Sequence, residues 1–187
     1  RDGAPENLAL PGQHNRLNAS GALAAAIAVG ADPKSAARGI AGFGGAERRL
    51  QVLQDGEVTV VDDYAHHPTE IKATLNALKT ANPSKKLICV FQPHQRDRLT
   101  QLFSDFAESF KDADELYLIP LYAVRGRDDG DGKSSKELAE LIKQPQAKYA
   151  PTFGKAYEQV MSDFDMQKHI VVFMGAGDID EQLRAKI

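Results

Sequence analysis

Cysteine occurs once in the 187 residues, at Cys89, so no internal disulfide can form and a reducing cytoplasm is the expected compartment. Cys89 sits in the apolar run 87–91, where a small core residue is expected. No apolar stretch approaches the roughly 18 residues of a membrane span, so no membrane partner is expected. A basic surplus is also missing: the formal net charge of −3 leaves nothing to neutralise a phosphate backbone, which excludes nucleic acid as the main partner. There is no internal repeat and no low-complexity segment. The opening residues show no signal peptide, no methionine and no periodicity, and the expectation is a chain cut from something longer. What is present is an ordinary globular composition, 42% hydrophobic and 26% charged, enough for one domain or a little more.

Residues 18–29 are alanine-rich and stop at Gly30, which predicts a helix ending on a glycine. Asp32 and Pro33 open a second helix running to about Gly42. Phe43-Gly44-Gly45 reads as a hinge, because two adjacent glycines are costly to order inside an element. Beyond it the texture changes. Apolar residues 50–54 and 58–61 flank Asp55-Gly56, a hairpin signal. Pro68 begins a helix marked by Ile71, Leu75 and Leu78 at helical spacing. Strands are predicted at 87–91 and 116–119, with a long helix between them whose face carries Leu99, Leu102, Phe103, Phe106 and Phe110. A helix at 135–142, a weak strand at 147–149, a short helix at 157–161 and a strand at 169–174 complete the series. Strands that are apolar on both faces and alternate with helices predict an α/β fold, a mostly parallel sheet with helices on both faces.

Polar residues crowd the ends of two of these strands. Asp62-Asp63-Tyr64-Ala65-His66-His67-Pro68-Thr69-Glu70 follows the strand at 58–61, and Phe91-Gln92-Pro93-His94-Gln95-Arg96-Asp97-Arg98 follows the strand at 87–91. Open α/β sheets bind ligands at the carboxyl ends of their strands. Three readings of the first cluster are open. Asp63, His66 and His67, with His94, can form a metal site; a carboxylate at a strand end can grip ribose hydroxyls; or Asp62 caps a turn and the two histidines cap the following helix. In the second cluster, Arg96 and Arg98 are suited to fork onto a carboxylate or phosphate, or else pair with Asp97 and Asp105 at the surface. The two clusters are expected at the ends of neighbouring strands.

A third cluster, Gly12-Gln13-His14-Asn15-Arg16-Leu17-Asn18, leads into the alanine-rich helix. Its asparagines can read an adenine edge or simply cap the helix. Glu47-Arg48-Arg49 is an anion contact or a solvated pair. Gly126 to Ser134 ends like a phosphate loop, but its spacing and acidic residues predict a mobile acidic surface loop. Gly175-Ala176-Gly177 begins like a dinucleotide fingerprint, yet Asp180 stands where the third glycine belongs, so a tight turn is expected.

Four pieces in this order resemble the Mur ligases of peptidoglycan synthesis: Pro11-Gly12-Gln13-His14-Asn15-x-x-Asn18, Phe43-Gly44-Gly45-x-x-Arg48-Arg49, the stretch from Asp62 to Glu70, and Phe91-Gln92-Pro93-His94. The last two together resemble the branch that adds L-alanine to UDP-N-acetylmuramate. The muropeptide-recycling branch, which adds a tripeptide, has a different segment where this chain reads Phe91-Gln92-Pro93-His94.

The resemblance implies a three-domain enzyme. Residues 1–45 would be the helical end of its central ATP-binding domain, and residues 46–187 its C-terminal Rossmann-like domain. It implies ATP and Mg2+ as cofactors, with magnesium ligands mainly in the central domain and an acyl phosphate as intermediate; UDP-N-acetylmuramate and L-alanine would be its substrates. No Gly-x-x-Gly-Lys-Thr loop occurs here, so this chain alone is expected to be inactive. Asn15, Asn18, Arg49 and Asp63 match the family's ATP-binding positions. Tyr64, His66, His94 and Arg98 match those lining the incoming amino acid. The family reads Phe-Gln-Pro-His-Arg-x-x-Arg where this chain has Gln95, so either Arg96 substitutes or Arg98 alone holds the carboxylate. A non-catalytic nucleotide-binding module, or a metal hydrolase, is the alternative of another class.

Overall fold

The computed structural model describes residue 5, residues 7–124, residue 126, residues 131–162 and residues 169–187. Two helices come first, α1 (Gln13–Ala28) and α2 (Pro33–Ala41). α1 begins directly after Gly12, five residues earlier than the alanine pattern predicted. Asn15 and Asn18 therefore lie inside the helix rather than before it, which removes the reading of Asn18 as a cap. α2 opens as expected, with Asp32 accepting a hydrogen bond from the Ser35 N–H at 2.8 Å. α1 packs on α2 and on α3 (Pro68–Ala81).

The rest is a six-stranded sheet: β1 (Gln51–Gln54), β2 (Val58–Asp63), β3 (Lys86–Phe91), β4 (Glu115–Leu118), β5 (Ala147–Tyr149) and β6 (His169–Met174), in the order β1-β2-β6-β3-β4-β5. β1 and β2 form the expected antiparallel hairpin, and every other pairing is parallel. The alternation of side chains sorts the core into two layers. Leu87, Cys89 and Phe91 join one apolar cluster, and Ile88 and Val90 join the other. Burial on both faces is what made these strands read as unbroken apolar runs. The predicted α/β class with a mostly parallel sheet is the observed fold.

Three predictions need correction. The long helix over 99–110 is two shorter ones, α4 (Arg96–Gln101) and α5 (Phe103–Ala107), because Leu102 leaves helical geometry at φ −107° and ψ 24°. Its apolar face was right, since Leu99, Phe106 and Phe110 still share one core with Leu102 and Phe103 against it. The last three helices are α6 (Ser135–Leu141), α7 (Phe153–Ser162) and α8 (Ile179–Arg184), and α8 was not foreseen. Its Ile179 and Leu183 reach the second cluster, four residues apart on one face. Finally, β2 and β3 are not neighbours: β6 lies between them. The middle of the expected acidic loop, residues 127–130, lies outside the described residues. No helix among the described residues is long and apolar enough to cross a membrane.

Candidate functional site

A cavity of about 780 Å³ opens between the first two helices, the turn leading into β1, and the start of α3. Asn15, Asn18, Arg49 and Asp63 all line it, together with His14 and Glu70. Three residues apart on α1, the two asparagines share one helix face. Asn15 spends one donor on the carbonyl of Pro11 at 2.8 Å, and its amide oxygen is not committed by that bond. Ala19, Ala22, Ile40 and Phe43 supply apolar walls. This is the mixture expected of a small-molecule site, mostly apolar with a few placed polar groups.

Asp63 ends β2 and is buried, and it also holds the local backbone. Its Oδ2 accepts from the Leu50 N–H at 2.8 Å, and its Oδ1 accepts from the Ala65 N–H at 2.9 Å and the Thr74 hydroxyl at 3.2 Å. A carboxylate offers about four acceptor positions, so one on Oδ2 remains. Burial pushes the Asp63 carboxyl above its usual range, opposed by these three donors and by Arg49. Burial likewise pushes the His14 imidazole down, with Asp63 opposing the shift and Arg49 adding to it.

A row of rings starts at the edge of this cavity. Tyr64 and His66 meet edge-on with centroids 5.2 Å apart, and His66 meets His94 at 6.2 Å. His94 stacks on Tyr122 at 5.5 Å with planes only 11° apart. The Arg49 guanidinium lies 5.4 Å from the centre of the Tyr64 ring, so cavity and ring row share a boundary. Glu70 bridges the same border: it lines the cavity and accepts from the His66 N–H at 3.0 Å. His66 Nδ1 lies 2.9 Å from the Tyr64 carbonyl. A carbonyl can only accept, which places a proton on Nδ1.

Arg98 has a buried Nη1 with no hydrogen-bond partner among the described residues. A buried guanidinium nitrogen without an acceptor is costly and marks where an anion is wanted. Arg96 is placed differently. A Cβ built on Gly132 would come within 2.8 Å of the Arg96 Cγ, so its stem runs beneath the segment that precedes α6. Between His94 and Arg96, Gln95 takes a left-handed φ of 64°.

Two parts of the first cluster are structural. His67 caps α3, accepting from the Thr69 N–H at 3.3 Å, while Glu70 accepts from the His67 N–H at 3.2 Å. With His67 facing its helix, the metal reading loses a ligand. No group of three candidate metal ligands converges among the described residues.

Sequence reasoning missed Tyr122. It follows the end of β4, and its N–H donates to the Pro93 carbonyl at 2.9 Å. The position itself was the available signal, since the other two clusters also follow strand ends. The turn after β6 is also more than a tight turn. Because β6 is central, Gly177 lies against both β3 and the ring row: a Cβ there would sit 2.5 Å from Gln92 Oε1 and 2.6 Å from Tyr122 Cβ. Only glycine fits so close an approach.

The Mur ligase, glutamate ligase domain matches residues 48–177. The UDP-N-acetylmuramate–L-alanine ligase of Clostridium acetobutylicum is 42% identical over 177 residues, covering 92% of this chain and 38% of that relative. Among solved structures, a UDP-N-acetylmuramate–alanine ligase from Thermotoga maritima superposes with a TM-score of 0.75 at 28% identity, over 95% of this chain and 38% of that one. A murein peptide ligase from Psychrobacter arcticus gives 0.60 at 25%, over 93% of this chain and 37% of that one. The chain thus spans about 38% of the length of the curated relatives it matches. With one domain matched over residues 48–177 and a relative 42% identical across 92% of the chain, this chain belongs to the Mur ligase family.

Proposed function

We propose that this chain is part of an ATP-dependent ligase of peptidoglycan precursor synthesis that joins L-alanine to UDP-N-acetylmuramate in the cytoplasm. In this reading α1 and α2 close the central ATP-binding domain, and residues 46–187 form the C-terminal domain. The observation that carries it is the shared cavity of Asn15, Asn18, Arg49 and Asp63, bordered by the ring row. Identity to alanine-adding ligases supports the choice of amino acid.

ATP, with Mg2+ held mainly by the central domain, supplies the phosphoryl group that activates the muramoyl carboxylate. The residues here bind and orient. Asn15 and Asn18 offer paired donors and acceptors to an adenine edge, between the apolar walls of Ala19, Ala22 and Phe43. Asp63 takes a ribose hydroxyl on its one open acceptor position. Arg49 faces the phosphates, where a planar cation grips better than a point charge. Arg98 forks onto the amino-acid carboxylate through its buried Nη1, and Tyr64, His66 and His94 line the same substrate. Holding both reactants in line supplies much of the rate.

The test uses the three-domain enzyme containing this chain. Phosphate release should require ATP, UDP-N-acetylmuramate and L-alanine together, and use of a tripeptide in place of L-alanine would assign the recycling reaction instead. Asp63→Ala should raise the KM for ATP roughly tenfold or more, as loss of a charged hydrogen bond of about 1.5–3 kcal/mol implies, with a smaller effect on alanine. Arg98→Ala should weaken alanine use by about 2–5 kcal/mol and leave ATP nearly untouched. Arg96→Ala should weaken alanine use by under about 1 kcal/mol, the scale of a pair that is open to solvent at its charged end. The reverse ranking of the two arginines would overturn the site.

A further inference from the structure

The sequence left Glu47-Arg48-Arg49 as an anion contact or a solvated pair, and the structure turns Arg48 onto a carboxylate of its own chain, Asp180. It sits in the turn before β1 with a left-handed φ of 57°, and Leu50 two residues on has φ 48°. Between these two bends Arg49 is turned onto the cavity wall. The Arg48 backbone carbonyl accepts from the Tyr64 N–H at 2.7 Å, and its own N–H donates to Gln51 Oε1 at 3.0 Å.

The side chain reaches across the sheet edge to residues more than a hundred positions away. Nη2 donates to the carbonyls of Gly175 at 2.7 Å and Gly177 at 3.4 Å. Nε lies 3.2 Å from Asp180 Oδ2 and 3.9 Å from Asp62 Oδ2. The guanidinium carbon stands 4.7 Å from the centre of the Tyr64 ring. One residue therefore touches the turn that aims Arg49, the ring that begins the amino-acid row, and the turn that packs on Tyr122 and Gln92.

We infer that Arg48 is a positioning residue that holds the nucleotide-facing Arg49 and the amino-acid-facing Tyr64 in one register by latching both to the turn after β6. The inference rests on the function proposed above and deepens it. A planar guanidinium can donate to two carbonyls through Nη2 while its charge pairs with Asp180 and its plane lies over a ring, an arrangement a compact ammonium does not reproduce. Left-handed backbone at non-glycine residues persists only where surrounding contacts hold it, and the latch supplies them. Arg48 does not itself line the cavity, so its effect is through Arg49 and Tyr64.

Five variants of the three-domain enzyme decide the matter: Arg48→Ala, Arg48→Lys and Asp180→Asn, with Arg49→Ala and Arg98→Ala as references. The references should split, Arg49→Ala raising the KM for ATP alone and Arg98→Ala that for L-alanine alone. Arg48→Ala should raise both, lowering kcat/KM for ATP and for L-alanine by roughly 10–100-fold, the scale of a small displacement propagated into a site. Arg48→Lys should recover only part of this. The KM for UDP-N-acetylmuramate, which no residue of this chain is proposed to touch, should stay near wild type; general structural damage would move all three. Should Arg48→Ala not fold, Asp180→Asn carries the decision, with the same two-sided rise at smaller size. A rise in one constant only, or a lower Tm with all three constants unchanged, overturns the inference while the split references leave the underlying function standing. If the references do not split, the site reading is wrong and the inference falls with it.

Discussion

Every residue of β2 and β6 is buried, whereas α1 buries only Ala19 and α2 buries none. Both regions are rich in apolar residues, so composition does not separate them. In α1 the alanines favour a helix by intrinsic propensity, and packing on α2 and α3 adds to it with little burial. In the sheet, valines and phenylalanines are ordered by what covers them. The consequence is visible at the surface, where Leu17 is 59% and Val29 is 87% exposed. Under the proposed domain division that face is covered by the rest of the ATP-binding domain. The cavity lies at the seam, one wall from each region, so closing one region on the other would open or shut the site.

The difference is sharpest when side chains are removed from each region. Phe91 packs between Phe106 and Phe110 with centroids 5.9 and 5.3 Å away, and Phe91→Ala should cost about 3–5 kcal/mol in denaturant unfolding. A loss under about 1 kcal/mol would mean that the sheet is no better packed than the helices. Buried charge gives the second contrast. Asp32, exposed at the cap of α2, is held below the usual carboxylate range by its bonds from Ser35. Asp62 is fully buried, and burial raises its pKa to about 6, with Arg48 and Arg184 pulling it down and Asp180 and Asp63 pushing it up. The unfolded carboxyl ionises near 3.8, so the folded state holds its proton longer and this group disfavours folding as pH rises. Relative to Asp62→Asn, the wild type should lose roughly 2–3 kcal/mol between about pH 4 and pH 7. A difference that does not change with pH would mean that Arg48 and Arg184 offset the burial completely. Smallest of all, Val29→Ser should change stability by less than about 0.5 kcal/mol, and a larger loss would show that the exposed residue closing α1 is covered by something within this chain.

Much of the fold was legible. The hairpin at Asp55-Gly56, the strands of β3 and β6, and α3 after Pro68 follow from local signals, because burial on one or both faces writes its period into the residues themselves. The first cluster yielded both a candidate ligand wall at Asp63, Tyr64 and His66 and a helix cap at His67. Individual residue types did not say which was which. The start of α1 was misplaced because its first turn carries polar side chains, and the alanine pattern begins only later. The break at Leu102 left no mark, since the apolar spacing continues through it. Tyr122 was overlooked and the part played by Arg48 misjudged for a different reason: Tyr122 stands in no motif, and the partners of both are far away in the chain.

The residues by themselves determined which segments become strands and helices, the parallel α/β class, and the presence of reactive side chains after two strands. Those properties depend on neighbours within a few positions. The tertiary structure decided the strand order. Backbone pairing is nearly indifferent to sequence, so the placement of β6 between β2 and β3 is settled by how the helices cover both faces. That insertion carries Gly175 and Gly177 to the centre of the ligand edge, beside Arg48, Gln92 and Tyr122, contacts that no local pattern encodes.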